Sequence, residues 1–148
     1  MLSLILFEVG SQNLAIKAEF ITEIIRAVTV TPLPELPLPY SGIINYRGRV
    51  VPVVRLGDLP GFKSYGSALT EYMIIIDSGS PTGICLVVDQ VKAFKTVEAL
   101  QPLTDLESLG YQSRLTPEIV KLETGLVPVL EVAALLPLTS TALTDRVA

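Results

Sequence analysis

The apolar residues of this chain come in short, β-branched runs, each cut by turn formers before it reaches helical length. Runs such as Met73–Ile76 and Ile84–Val88 are strand-sized and leave no room for an amphipathic helix. Leu2–Val9 predicts a strand, Gly10-Ser11-Gln12-Asn13 a turn, and Leu14–Lys17 its hairpin partner. Gly42–Tyr46 and Arg49–Arg55 predict two strands about a tight turn at Arg47-Gly48. Pro52 falls inside the second, which predicts an edge or a bulge for its missing N–H. Glu71–Asp77 and Gly83–Asp89 form a second such unit around Ser78-Gly79-Ser80-Pro81, and Val91–Val97 a further strand. A last hairpin runs over Glu118–Thr124 and Leu126–Leu130 around Gly125. The sum is about nine or ten strands, an all-β assembly of barrels with a few short helices.

Helix is expected in few places. Phe20, Ile21, Ile24 and Ile25 sit at helical spacing, so Glu19–Ile25 predicts about two turns. Leu100–Thr116 is irregular with a short helix, and Val132–Leu136 reads as a final helical turn. Four prolines between Pro32 and Pro39 hold the chain extended, which suits a fixed crossover loop better than a ligand for another domain. Gly57–Ala68 is loop-like, and the residues after Pro137 predict a frayed tail, so the domain is expected over residues 1–137 with a tail at 138–148.

The two halves echo each other. Val51-Pro-Val-Val-Arg-Leu56 matches Val127-Pro-Val-Leu-Glu-Val132, each directly after a turn. Gly10-Ser11 and Gly79-Ser80 open comparable turns, and Glu19-x-Ile21-x-x-Ile24 resembles Asp89-x-Val91-x-x-Phe94. The spacing drifts, so this is no strict repeat, but it predicts two related small barrels with an apolar groove at their seam.

Composition removes most chemistry. The chain of 148 residues has no histidine and one cysteine. That excludes a Ser-His-Asp or Cys-His centre, a disulfide framework and an ordinary zinc site. Glu8, Glu19, Glu23, Asp58, Asp77 and Asp89 form no tight carboxylate pair, and no phosphate loop or nucleophile elbow appears. Cys85 lies in an apolar run and reads as an inert core residue. No enzyme, cofactor or metal is expected. A formal charge of −4 argues against nucleic acid. Mean hydropathy of +0.54 raises the membrane question, but no run approaches the roughly 20 apolar residues of a spanning helix. The expectation is a cytoplasmic protein whose apolar excess goes into a dense β core or a partner-facing surface.

One charged residue stands out. Arg47 sits at a hairpin tip, between Tyr46 and Gly48. It is either a solubilising tip charge or a planar fork presented for a carboxylate or carbonyl. Glu23 is either its intramolecular partner or a second partner-facing charge.

These residues resemble a known family. Gly42-Ile-Ile-Asn-Tyr-Arg-Gly-Arg-Val-Val-Pro-Val-Val-Arg-Leu56 is similar to the signature hairpin of the CheW-like family, G-[VI]-x-N-x-R-G-x-x-[VI]-P-[VI]-[VI]-D-L. Phe20–Ile25, Gly83–Val91 and Glu123–Leu136 resemble three further blocks in order. The resemblance implies two intertwined, SH3-like five-stranded β-barrels and a non-enzymatic adaptor. Its implied partners are a CheA-type histidine kinase, through that kinase's own CheW-like regulatory domain, and the cytoplasmic tip of chemoreceptors. The membrane is then met only through receptors. The partner-binding residues it implies are Ile21, Glu23, Asn45, Arg47 and Val91, with Gly42, Gly48 and Pro52 shaping the hairpin. Two departures stand in the signature: Arg55 replaces the usual aspartate, and Tyr46 a common leucine. The readings that compete with it are a small β-barrel for an apolar ligand and a diverged regulator outside chemotaxis.

Overall fold

The computed structural model describes residues 1–59, 71–77, 83–110 and 114–135. Eleven strands lie among them: β1 (Leu2–Val9), β2 (Gln12–Lys17), β3 (Ile21–Arg26), β4 (Tyr40–Tyr46), β5 (Arg49–Arg55), β6 (Tyr72–Ile76), β7 (Ile84–Val88), β8 (Gln90–Val97), β9 (Gln101–Pro102), β10 (Glu118–Leu122) and β11 (Gly125–Val129). Helix is confined to short 3₁₀ turns, none long and apolar enough to cross a membrane. The all-β expectation holds. The expectations for the Gly57–Ala68 loop beyond Leu59, the Ser78–Pro81 turn and the tail lie outside the described residues.

The strands form two sheets that exchange segments. One has the order β8-β1-β2-β11-β10-β9 and the other β3-β6-β7-β5-β4. The N-terminal hairpin thus joins the C-terminal strands, while β3 to β7 make the second sheet between them. The halves match strand for strand. Each has a two-residue hairpin, β4–β5 or β10–β11, whose second strand pairs in parallel with β7 or β2. The proline-rich segment is the expected crossover: Thr31 bridges Ile43, so the chain passes from β3 at one edge to β4 at the other.

Four local expectations need correction. Glu19–Ile25 is not a helix but a 3₁₀ turn, Ala18–Phe20, running into β3. The cause is a β-bulge. Ile21 pairs with Ile76, but the next pair is Glu23 with Ile75, then Ile24 with Ile74. The extra residue puts Ile21 and Ile24, three apart, on one face of a strand, which imitates helical spacing. β8 carries the same bulge, with Val91 opposite Phe7 and Ala93 opposite Leu6. The sequence echo between Ile21-x-x-Ile24 and Val91-x-x-Phe94 is that shared bulge.

Pro52 lies neither on an edge strand nor at a bulge of its own, since β5 is flanked by β7 and β4. Counting from the Tyr46–Arg49 pair that closes the turn, Pro52 faces Ile43 in a non-hydrogen-bonded pair. Its nitrogen therefore points to the β7 side, where pairing begins only at Val53. Pro128, opposite Ile119, repeats the arrangement in β11. Gly125 is not the tip of the last hairpin. The tip is Glu123-Thr124, and Gly125, at φ 135°, opens β11 opposite Leu122.

The seam between the sheets is also not an open apolar groove. It is the main core. Phe7, Leu14 and Ile16 of one sheet meet Val54, Ile74, Ile76 and Leu86 of the other, all fully buried. Every residue of β7 is buried, so this strand packs on both faces. Its other face belongs to a second cluster inside the five-stranded sheet, with Val51, Met73 and Cys85, while Leu4, Ala15 and Val127 make a smaller third one in the six-stranded sheet. Two-sided burial accounts for the high hydropathy.

Candidate functional site

At the β4–β5 tip, Arg47 and Gly48 both have positive φ, 51° and 82°. That pair of left-handed residues makes the tight two-residue turn whose twist matches the strands. Glycine adopts it freely, but arginine does so at a cost of about 1 kcal/mol. The Asn45 side chain supports it, its Oδ1 accepting a hydrogen bond from Gly48 N–H at 2.9 Å. Asn45 is exposed but spends its oxygen on the turn.

The turn aims Arg47 at β3. Its Nη2 donates to both carboxylate oxygens of Glu23 at 2.9 Å, and its guanidinium lies 5.4 Å from the centre of the Tyr46 ring. Tyr46 O–H donates to Glu23 Oε1 at 2.5 Å. The bond to the carboxylate, with some desolvation, raises the Tyr46 hydroxyl pKa above its ordinary value. β3 and β4 are the two edges of the five-stranded sheet. Glu23, Tyr46 and Arg47 therefore form a clasp from one edge to the other, beyond the bridge at Thr31.

Glu23 is thus the intramolecular partner of Arg47. Yet Arg47 remains 72% exposed in its side chain, and Nη1 and Nε make no contact among the described residues. Tyr46 is the member that pattern reading undervalued. Its position beside Arg47 and a two-residue turn was the available signal, because the residue closing such a turn shares a face with the sheet edge.

The other expected residues are elsewhere. Ile21 and Val91 are half-buried and pack against the core between the sheets, each at the start of a bulged edge strand. Gly42 is buried where the chain crosses to β4, and a Cβ there would fall 2.7 Å from the Thr31 carbonyl oxygen. Arg55, the reversed charge, is answered: Nη1 pairs with Glu71, and Nε lies 4.0 Å from Asp58. Cys85 is fully buried, and that burial pushes its thiol up to about 12. Among the described residues, no cluster of three or more acidic or cysteine side chains is arranged to hold a metal.

Comparison with known proteins agrees with this geometry. Residues 3–140 match the model of the CheW-like domain. The Chemotaxis protein CheW of Rhizobium meliloti is 27% identical over 136 residues, 90% of this chain and 86% of that one. Protein FrzA of Myxococcus xanthus is 40% identical over 62 residues, 42% of this chain and 37% of its own. The crystal structure of the scaffolding protein TtCheW from Thermoanaerobacter tengcongensis superposes with a TM-score of 0.77 at 20% identity, covering 88% of each chain.

Proposed function

The chain belongs to the CheW-like domain family, and on that footing we propose that it is a non-enzymatic cytoplasmic adaptor coupling chemoreceptors to a CheA-type histidine kinase. The kinase's CheW-like regulatory domain and the receptor's cytoplasmic tip are its two partners. The observation that supports a docking role for the signature hairpin is the half-used guanidinium of Arg47. Glu23 engages Nη2 alone and fixes the direction of the side chain, while Nη1 and Nε face solvent at a rigid tip. A preorientated fork of this kind recognises a carboxylate or backbone carbonyl at low entropic cost. Asn45 shapes the turn, and Ile21 and Val91 set the edge strands that flank the contact surfaces.

Such contacts set orientation and on-rate more than affinity, so micromolar pair affinities multiplied by repetition suffice for an assembly. Arg47→Ala should leave the circular dichroism spectrum unchanged and weaken capture of the kinase regulatory domain about threefold to tenfold. Unchanged capture, with the fold intact, would remove Arg47 from the interface. Failure of the native chain to capture either the regulatory domain or a receptor tip would overturn the adaptor reading itself.

A further inference from the structure

The two halves of the fold match residue by residue at the hairpin tips, yet only one is clasped. Pairing registers align Tyr46 with Leu122 and Arg47 with Glu123. The bulges align Glu23, opposite Ile75, with Ala93, opposite Leu6. The six-stranded sheet therefore has neither the carboxylate nor the arginine that draw the first sheet shut. Lys95 stands where Ile25 packs on the inner cluster of the first sheet.

The result is a solvent-open pocket of about 640 Å³ at the end of the six-stranded sheet. Leu6, Leu122 and Val127 form an apolar floor, and Lys92, Lys95 and Lys121 line the wall. Three of the five lysines of an acidic chain thus meet in one place. Lys92 is engaged by Glu8 at 2.7 Å, whereas Lys95 and Lys121 are exposed and have no carboxylate within 4.0 Å among the described residues. Glu123 is the one acidic residue of the lining. Lysines on an edge strand ordinarily guard it against pairing, but these converge on a cavity with Lys121 from another strand.

We propose that this pocket receives an extended segment of a partner protein that carries a carboxylate beside apolar side chains. Its carboxylate would meet Lys95 and Lys121, as Glu23 meets Arg47 in the first sheet, and its apolar side chains would cover the floor. β8 is an edge strand and offers an open backbone edge beside the pocket for an extended chain. The site is independent of the Arg47 tip and of the adaptor reading.

Titration of the ¹⁵N-labelled chain with the peptide acetyl-Leu-Glu-Leu-Glu-Leu-amide at low salt tests it. Shift changes should centre on Lys92–Val97 and Lys121–Thr124. The glutamine counterpart should bind at least about threefold more weakly, and the double variant Lys95→Glu/Lys121→Glu about tenfold more weakly, with dichroism confirming its fold. Arg47→Ala should bind the peptide unchanged, which separates this site from the signature hairpin. Shifts centred elsewhere, equal binding of the two peptides, or indifference to the lysine reversals would overturn the proposal. Saturable binding of octanoate where neither peptide binds would also overturn it, making the pocket a small-molecule site.

Discussion

Arg55 shows how one reversed charge is absorbed. The family pattern puts an aspartate there, but here the guanidinium pairs with Glu71 and reaches towards Asp58. Glu71 is about one-fifth exposed, so removing its cation strands a partly desolvated carboxylate. Arg55→Asp would gather three carboxylates and should lower stability by about 1–3 kcal/mol at pH 7. Mutual repulsion raises folded-state carboxylate pKa values, so the penalty exists above them and is relieved as pH falls through them. Urea unfolding of variant and native chain at pH 7 and near pH 4 checks this: the difference between them should shrink in acid. A difference independent of pH would assign the loss to packing of the arginine stem instead.

At the scale of elements, two signature glycines do different work. At Gly48 the left-handed φ is the whole requirement, with open space around a would-be Cβ. At Gly42 a Cβ would meet Val30 Cγ1 at 2.6 Å and the Thr31 carbonyl oxygen at 2.7 Å, where the crossover lies against β4. Equilibrium unfolding should therefore show Gly48→Ala costing about 1 kcal/mol and Gly42→Ala about 2–3 kcal/mol. Equal costs would mean the crossover yields and does not fix the sheet edge. The hairpins were legible in the sequence because a two-residue turn and its flanking alternation are local signals. The bulge in β3 was not, because one extra residue makes Ile21 and Ile24 imitate a helix face. Nor was the place of Pro52, since strand order depends on parallel pairing with β7, far along the chain. The Glu23–Arg47 pair was legible only as an alternative, because its residues lie 24 positions apart and meet only once the two sheet edges approach.

The whole molecule is harder to divide than its internal symmetry implies. β1 and β2 leave the first half to join the second, and the largest core lies between the sheets, not inside either. Tyr40, at the start of β4, donates its hydroxyl to the Leu135 carbonyl at 2.8 Å, tying the five-stranded sheet to the turn that follows β11. Neither half retains its main core alone, which predicts one cooperative unfolding unit. Cys85 supplies the probe. It faces the inner cluster of the five-stranded sheet, fully buried, with its thiol pushed up to about 12, so a thiol reagent at pH 8 reaches it only after opening. Phe7 lies in the other sheet, in the shared core. Phe7→Leu should cost about 1–2 kcal/mol. When closing outpaces labelling, the same change should speed Cys85 modification about fivefold to thirtyfold. The labelling rate and the loss of circular dichroism in urea should then report the same free energy. If Phe7→Leu lowers the dichroism midpoint but leaves Cys85 labelling unchanged, the five-stranded sheet opens on its own, and the shared core does not bind the two halves into one unit.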